Sequence, residues 1–412
     1  KDMAGLLKPE AAYQLISTLK ETIDIPSHLH THDTSGNGAF IYSRAIKAGV
    51  DVVDVATGSL SGSTSQPSAQ SLYHALEGTV KQPNINVEHY EELSKYWEGA
   101  RQYYEDFESG MKSPHSEVYL HEMPGGQYSN LQQQAKAVGL EERWEEVKVM
   151  YRTVNDMFGD VVKVTPSSKI VGDMALFMVQ NDLTEEDIYE RGEFMDFPAS
   201  VIEFFQGYIV QPYGGFPKKL QDIILKGRDK IEERPGVFLD PVNFKQLENE
   251  LYEQLGREVT SFDVIAYALY PDVFMSYSNF TKEFADVSVL DTPTYLYGMR
   301  LGEEIEVEIE QGKTLFIRLA SISEPRSDGT RVIYFELNGQ SREIIIRDKS
   351  IQTDNVELPK ADEDDPKQIG ATMPGTVIKM LCEDGDKVEQ GDYLLITEAM
   401  KMETTIQAPF KG

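Results

Sequence analysis

Apolar positions near the N-terminus recur first with helical spacing and then as short apolar runs. Residues 9–22 carry one apolar stripe, and Pro9 suits the first position of a helix. We predict a strand over 25–32, a helix over 38–48 and a strand over 50–55. A strand, a helix and a second strand with short connections are typical of the βαβ unit of a parallel sheet.

The next part of the chain is mostly helical in its spacing. A helical stretch surrounds 87–109, a short strand is predicted over 118–120, and the run 165–169 (Thr-Pro-Ser-Ser-Lys) is predicted to break the helices. The other predicted helical periods are 131–158, 173–190, 198–206, 217–233 and 243–270. This region is predicted to be an α-rich extension of the preceding domain.

Strand-like alternation takes over in the last third of the chain. Four short alternating segments with turns between them predict a small antiparallel β domain over 291–357. Residues 358–368 are charged and contain proline, which indicates a solvated linker. From residue 369 to the end the pattern is again β, and we interpret it as half of a small all-β domain.

Composition and charge narrow the function classes. The chain has 412 residues and a formal net charge of −30, which argues against nucleic acids and anionic membranes as partners. The only cysteine is Cys382, so no internal disulfide is possible and a reducing, cytoplasmic compartment is expected. No apolar run approaches the length of a membrane span. The N-terminus, Lys1 to Gly5, is unlike a signal peptide or a translation start, so we expect the sequence to begin inside a domain.

Lys401 lies between two β segments, in the run 398–403 (Glu-Ala-Met-Lys-Met-Glu), so it is expected at an exposed hairpin tip. A lysine that carries a covalent cofactor must be exposed on such a turn, and the protein supplies only the tether and its orientation. The alternative is a surface lysine between two packing methionines. The motif after an acidic linker resembles the biotinyl-carrier domain of biotin-dependent carboxylases, which implies biotin on Lys401.

Three histidines alternate along the first predicted strand. The two-residue period puts His28, His30 and His32 on one face. In a barrel strand this face points inward, and His30 and His32 lie nearest the catalytic, C-terminal end. Two imidazoles at this spacing can bind one metal ion, and a polar cluster of core histidines is the alternative.

The runs 1–9 (Lys-Asp-Met-Ala-Gly-Leu-Leu-Lys-Pro) and 30–36 (His-Thr-His-Asp-Thr-Ser-Gly) together resemble the carboxyltransferase domain of the pyruvate carboxylase family. The resemblance implies a divalent metal, Mn or Zn, bound by carbamylated Lys1, His30, His32 and an upstream aspartate that this chain lacks. Carbamylation gives lysine an anionic oxygen ligand, which suits these metals beside imidazoles.

The run 164–169 (Val-Thr-Pro-Ser-Ser-Lys) resembles the same family. The resemblance implies that Thr165 is the catalytic proton shuttle between the methyl group of pyruvate and the ureido nitrogen of biotin. A hydroxyl can donate and accept a hydrogen bond at once, which suits this role. Ser168 and Lys169 then correspond to positions near the biotin pocket. Taken from the residues alone, the run is a proline turn followed by a helix cap.

The resemblance implies an α/β multidomain fold that contains the C-terminal half of a TIM-type (β/α)8 barrel. The predicted domains are half of the carboxyltransferase barrel, its α-helical extension, a β-rich tetramerisation or allosteric domain, an acidic linker and a partial biotin carboxyl carrier domain of the hammerhead type. Their ranges are 1–171, 172–290, 291–357, 358–368 and 369–412.

The implied function is biotin-dependent carboxylation of pyruvate to oxaloacetate, with ATP and Mg bound by an upstream biotin carboxylase domain that this chain lacks. The implied partners are pyruvate, carboxybiotin formed from bicarbonate, biotin protein ligase, further copies in a homotetramer, and an effector such as acetyl-CoA or a cyclic dinucleotide. The alternatives are a carboxyltransferase of the oxaloacetate decarboxylase or transcarboxylase type, a metal-dependent aldolase or acyl synthase without biotin, and a non-catalytic biotin-carrier module.

Overall fold

The computed structural model describes residues 1–108, 110–348, 350, 361, 368–399 and 402–412. These residues form two compact units, one from Lys1–Phe238 with Ala361–Gly412 and one from Leu239–Lys360. None of the described helices is both long enough and apolar enough to cross a membrane. The domain ranges given above remain predictions.

The first unit begins with a parallel strand pair backed by two helices. Its elements are α1 (Pro9–Thr22), β1 (His28–Leu29), α2 (Gly38–Ala48) and β2 (Val52–Val53). Strands β1 and β2 pair in parallel with His28 opposite Val52, and α1 packs on α2 through a small core that contains Ile16, Ile41 and Tyr42. This arrangement confirms the predicted strand–helix–strand unit, although both strands are shorter than predicted.

A helical bundle follows and contains the largest hydrophobic core of the described residues. The helices after β2 are α3 (Ala69–Leu76), α4 (Val87–Arg101), α5 (Val118–His121), α6 (Gly125–Ala137), α7 (Trp144–Met157), α8 (Ser167–Gln180), α9 (Glu185–Arg191), α10 (Ala199–Gln206) and α11 (Lys218–Leu225). Helix α8 is at the centre of the bundle, since almost all of its residues from Ile170 to Val179 are buried.

Two predictions for this region need correction. Residues 118–120, predicted as a strand, form helix α5, because a three-residue apolar run carries no period that separates strand from helix. Only the first two residues of the run 165–169, Thr165 and Pro166, lie between helices. Helix α8 begins at Ser167, whose hydroxyl donates 2.6 Å hydrogen bonds to the carbonyls of Val162 and Val164 and so closes the turn before the helix.

The same unit contains a three-stranded antiparallel sheet formed by the C-terminal segment. Its strands are β7 (Thr376–Met380), β8 (Tyr393–Ala399) and β9 (Met402–Gln407), in the order β7–β8–β9. The strands that come between β2 and β7 along the chain belong to the second unit and are given in the next paragraph. The predicted strands of the C-terminal segment are confirmed, and Lys401 lies outside the described residues.

The second unit contains helices followed by a four-stranded sheet. Its helices are α12 (Phe244–Leu255), α13 (Ser261–Leu269), α14 (Pro271–Phe284) and α15 (Thr292–Tyr297), and its strands are β3 (Glu304–Glu310), β4 (Lys313–Ile322), β5 (Thr330–Leu337) and β6 (Gln340–Arg347). The sheet is antiparallel in the order β3–β4–β5–β6, as predicted. Asn338 and Gly339 both have positive φ, which is the backbone that a two-residue hairpin turn requires.

Candidate active site

The three histidines of the first strand share one face, as their spacing predicts. Both His28 and His30 contact the carboxylate of Asp54, at 2.7 Å from His28 Nε2 and 2.8 Å from His30 Nδ1. The rings of His30 and His32 meet edge to face, with centroids 5.1 Å apart. His28 is exposed, whereas His32 is buried, so burial increases along the strand towards its C-terminal end.

The N-terminal segment runs beside this strand. Asp2 bridges to Thr31 in parallel, and the Thr31 hydroxyl donates a 2.9 Å hydrogen bond to the Asp2 carboxylate, so these two side chains share a face. Side-chain alternation along extended backbone predicts that Lys1, the residue before Asp2, lies on the opposite face, on the side of His30 and His32. The structure itself places His30 and His32 together, with ring centroids 5.1 Å apart.

Each of the two inner histidines has one ring nitrogen held and the other available. The Nδ1 atom of His30 contacts Asp54, and its Nε2 atom is buried without a hydrogen-bond partner. The Nδ1 atom of His32 lies 2.6 Å from the carbonyl oxygen of Thr64, an acceptor that requires a proton on Nδ1. In the neutral ring, Nε2 then carries a lone pair. Burial, as the main cause, lowers the pKa of His32 and favours this neutral form.

This pattern fits a metal site, since metal-binding histidines usually donate their other N–H to a carboxylate or carbonyl oxygen. Among the described residues, no group of three or more His, Cys, Asp or Glu side chains is arranged to hold a metal ion.

Gly125, the first residue of α6, lies against His32. A Cβ atom at this position would lie 2.7 Å from His32 Nδ1 and 2.7 Å from the Thr64 carbonyl oxygen, which only glycine avoids. The Gly125 amide also donates a 2.9 Å hydrogen bond to the carbonyl of Met3, next to the Lys1 segment. The start of α6 thus fixes both chain segments that supply the predicted ligands.

A cleft of about 420 Å³ borders this site, and Thr64 and Ser65 form part of its wall. Trp97, Tyr104 and Phe107 supply aromatic surface in the cleft. Arg101 is the cationic side chain in the wall of this cleft, and it forms a 2.5 Å ion pair with Glu108. This ion pair largely neutralises the positive charge of Arg101.

The loop before α8 carries the predicted proton shuttle. Thr165 and Pro166 precede the helix, and the side chain of Thr165 is exposed. Ser168 is buried in the first turn of α8, and its carbonyl accepts a 3.4 Å hydrogen bond from the hydroxyl of Tyr151. The hydroxyl of Thr165 is therefore accessible to a ligand, whereas Ser168 belongs to the packed start of the helix.

Lys169 is paired with a carboxylate inside the bundle. Its Nζ atom lies 2.5 Å from Asp173 Oδ2, and the hydroxyl of Ser200 on α10 donates to the same oxygen at 2.7 Å. Asp173 is fully buried, and burial raises its pKa as the leading effect. Asp173 thus draws the Lys169 ammonium to the junction of α8 and α10.

Helix α6 connects the two parts of the site. Its first residue, Gly125, lies against His32. Further along α6, the side chain of Gln127 lies against Gly172 of α8, where an added Cβ would be 2.6 Å from Gln127 Nε2. Gly172 is five residues beyond Ser167 in the same helix, which corresponds to roughly 7.5 Å along the helix axis. The histidines and the Thr165 loop are therefore held by one pair of packed helices.

The carrier segment packs onto this same bundle. Met402, the described residue nearest Lys401, is 2 % exposed and joins the core of the bundle together with Met373. Burial and the neighbouring Glu403 raise the pKa of Glu203 on α10, and Lys169 lowers it. The described flank of the biotin motif therefore lies near the helices that carry Lys169.

Sequence reasoning missed three residues of this region. Asp54 lies within the second predicted strand and directly after the observed β2, and the parallel register that places it beside His30 was the available signal. The roles of Gly125 and Asp173 depend on contacts with residues distant in sequence.

Comparisons with known proteins agree with this architecture. Residues 118–318 match a family model described as a conserved carboxylase domain, and residues 367–412 match one described as a biotin-requiring enzyme. The whole chain is 65% identical to a pyruvate carboxylase of Bacillus subtilis and 56% identical to one of Staphylococcus aureus, and it spans 36% of the length of each.

Solved structures show the same relationship. The carboxyl transferase domain of Rhizobium etli pyruvate carboxylase, in a structure with pyruvate and biocytin, matches with a TM-score of 0.78 and 46% identity over 85% of this chain and 59% of that one. These similarities favour pyruvate carboxylase over the decarboxylase and transcarboxylase alternatives. The chain belongs to the pyruvate carboxylase family and spans about a third of the length of the curated relatives it matches.

Proposed function

We propose that this chain carries the carboxyl-transfer half of a pyruvate carboxylase reaction, in which biotin on Lys401 delivers a carboxyl group to pyruvate and oxaloacetate forms. The observation that carries the proposal is the pair of inner histidines, each with one nitrogen held by an oxygen acceptor and the other available. The identity of the relatives and the pyruvate-bound neighbour support pyruvate as the substrate.

Lys1 in its carbamylated form, His30 and His32 are the proposed metal ligands. The unpartnered Nε2 of His30, the contact of His32 Nδ1 with the Thr64 carbonyl and the pairing of Asp2 with Thr31 beside the histidines support this assignment. A bound divalent ion, Zn²⁺ or Mn²⁺, would polarise and orient the carbonyl group of pyruvate. Asp54 and the Thr64 carbonyl keep the imidazoles in the required tautomers and orientations.

Thr165 is the proposed catalytic residue. With biotin bound, its hydroxyl would accept a proton from the methyl group of pyruvate and would donate its own proton to the ureido nitrogen that loses the carboxyl group. The new carbon–carbon bond forms at the former methyl carbon, so that the proton and the carboxyl group exchange places. The accessible Thr165 side chain supports this role, because the hydroxyl can reach a ligand without first breaking a packed core.

Ser168 and Lys169 are proposed to bind the biotin group and its carboxylate. Lys169 supplies a positive charge close to Glu203, which is also near Glu403 of strand β9. The ion pair with Asp173 restricts the movement of the Lys169 ammonium group. Attached biotin would carry the carboxyl group between sites.

The wider assignments extend the proposal to the whole protein. We infer half of a TIM-type barrel in the N-terminal part, a hammerhead carrier domain and the five ranges predicted from the sequence. We further propose that an upstream domain binds ATP and Mg and that bicarbonate is the source of the carboxyl group. The proposed partners are a biotin protein ligase, further copies in a homotetramer, and an acetyl-CoA or cyclic dinucleotide effector. The single cysteine favours a cytoplasmic location.

The test uses the full-length protein, purified after expression with a biotin ligase. Peptide mass spectrometry should place biotin on Lys401, and the protein should form oxaloacetate from pyruvate, bicarbonate and ATP. A K401R variant is the matched control, because it keeps the charge and removes the amine to which biotin is attached. Absence of biotin on Lys401, or equal oxaloacetate formation by K401R, would contradict the proposal.

A further inference from the structure

Strand β9 joins the carrier segment to the helical bundle. Met402 opens this strand and lies in the core formed by the helices, as does Met373 from the same segment. The other edge of β9 pairs with β8, where Gln407 is opposite Tyr393. The bundle therefore contacts the carrier on the edge of β9 that faces away from its own sheet.

One hydrogen bond fixes this edge to the bundle. The backbone N–H of Gln407 donates to Asp196 Oδ2 at 3.3 Å. An edge strand exposes backbone donors that need a partner, and here the partner is a side chain of another part of the chain. Because the bond uses backbone N–H, it specifies the position of the strand independently of the Gln407 side chain.

Asp196 is itself held in place for this contact. It lies in the turn between the short 3-10 helix Gly192–Phe194 and α10, and its neighbour Phe197 is buried in the core. Lys226 donates a 2.5 Å hydrogen bond to the carbonyl of Met195 and so anchors the same turn. Burial raises the pKa of Asp196, whereas the Gln407 N–H, Lys226 and Arg228 favour its charged form.

We propose that Asp196 is a positioning residue for the carrier: by accepting the Gln407 N–H, it fixes the position on α10 of strand β9, which directly follows Lys401 in the sequence. The inference rests on the proposed function, because it assumes that Lys401 carries biotin. The hydrogen bond is 3.3 Å long, and the burial of Met402 in the core of the bundle accompanies it.

The experiment compares two reactions of the full-length enzyme. In one, biotin attached to Lys401 accepts the carboxyl group of oxaloacetate. In the other, protein prepared without biotinylation uses free biotin. In both, the bond between C3 of oxaloacetate and its carboxyl carbon breaks, a nitrogen–carbon bond forms on biotin, and the displaced nitrogen proton passes to C3, which gives pyruvate. Only the first reaction needs the carrier strand to dock.

The variants are D196A, D196N and Q407P. D196A removes the acceptor, whereas the amide oxygen of D196N can still accept the bond. Q407P removes the N–H donor at a strand edge where proline can be accommodated. We expect D196A and Q407P each to slow the tethered reaction about three- to tenfold, as for the loss of one hydrogen bond, with the free-biotin reaction unchanged. D196N should retain most of the tethered rate, and the double variant D196A/Q407P should be no slower than either single variant.

Other outcomes would overturn the inference. Equal losses in the tethered and free-biotin reactions would show a general structural role for Asp196, and unchanged tethered rates would show that the contact does not position the carrier. Independent, multiplicative losses in the double variant would mean that the two groups do not act on each other. No reaction of the unmodified sequence in either assay would instead refute the proposed transferase function.

Discussion

The histidine strand and the carrier strand both present chemistry on short β segments, but their surroundings differ. His30 Nδ1 lies 2.8 Å from the Asp54 carboxylate, and His32 Nδ1 lies 2.6 Å from the Thr64 carbonyl. Gly125 packs against His32 with no room for a Cβ atom. The carrier strand β9 packs on the bundle through Met402, and the hydrogen bond from the Gln407 amide to Asp196 is longer, at 3.3 Å.

This difference corresponds to the roles proposed for the two segments. Metal ligands must stay in one geometry, which requires their second nitrogens to be held. A carrier has to dock and depart, so its attachment must be weak enough to reverse. The predictions below disturb the fixed region first and the reversible contact last.

The largest effect on metal affinity is expected from Gly125→Ala. Its new Cβ would lie 2.7 Å from both His32 Nδ1 and the Thr64 carbonyl, so His32 must move and lose its hydrogen bond. We expect metal affinity, measured by competition with a chelator, to fall by about 100-fold, the upper end for changes next to metal ligands. Gly126→Ala is the matched control, since a Cβ there meets nothing within 4 Å. Equal affinities of the two variants would refute the predicted role of this contact.

Asp54→Asn should weaken the same site by about tenfold in metal affinity and transfer rate, because the amide orients the His30 ring less strongly than a carboxylate. Asp54 contacts His30 Nδ1 at 2.8 Å. The control is His28→Gln, which alters the exposed histidine that shares Asp54 but is not a proposed ligand. If His28→Gln had the larger effect, the assignment of His30 as the inner ligand would be wrong.

His121 makes the framework behind the site sensitive to acid. Burial, followed by nearby Lys148, lowers the pKa of His121 to about 4, and its neutral Nδ1 accepts a 3.0 Å hydrogen bond from the Met123 amide. Because the folded-state pKa is depressed, the stabilisation is complete above about pH 6.5 and is lost as the pH falls towards 4. The free energy of unfolding should decrease by roughly 3 kcal/mol over that interval.

Denaturant unfolding at several pH values measures this effect. The fluorescence of Trp144, which contacts Tyr128 beside His121, reports on the region, with Trp97→Phe removing the other tryptophan. His121→Asn keeps an acceptor but does not titrate in this range, so it should flatten the pH dependence. An equal slope in His121→Asn would assign the acid sensitivity to other groups.

The smallest effect is expected at the carrier contact. Burial and nearby Glu403 raise the pKa of Glu203, so the docked hairpin is most stable at low pH, where Glu203 is neutral, and is weakened as the pH rises through that pKa. At pH 8, Glu203→Gln should therefore slow hydrogen exchange of the β9 amides about two- to threefold, the scale of a weak charge pair.

The same comparison has an internal control. At pH 5 the difference between Glu203→Gln and the unmodified sequence should shrink, because Glu203 is then closer to neutral, as glutamine is at every pH. Glu186→Gln, which changes an exposed glutamate on α9, should not alter the exchange of β9. Faster exchange in Glu203→Gln would show that Glu203 holds the hairpin rather than repelling it.

The parts of the structure that depend on local pattern could be predicted from the sequence. Helix α2 has the predicted bounds, the four-stranded sheet has its predicted turns, and the alternation of His28, His30 and His32 gives their common face. Period and turn residues are local properties, so one sequence suffices for them.

Contacts between distant residues could not be predicted in the same way. Residues 118–120 became helix α5 because a short apolar run fits either structure. The closeness of Gly125 to His32 joins residues more than ninety positions apart, and the bond between Gln407 and Asp196 spans 211 positions. No periodicity relates such pairs, and only packing of the helices brings them together.

The most direct test of the account is Thr165→Ala in the biotinylated full-length protein, with Thr165→Ser as the conservative variant. Two rates are measured together: oxaloacetate formation, and bicarbonate-dependent ATP cleavage, which does not need the proton relay. We predict that Thr165→Ala lowers oxaloacetate formation by about 100- to 1,000-fold, that Thr165→Ser retains much of it, and that ATP cleavage continues in both. Oxaloacetate formation by Thr165→Ala at nearly the unmodified rate would contradict the account.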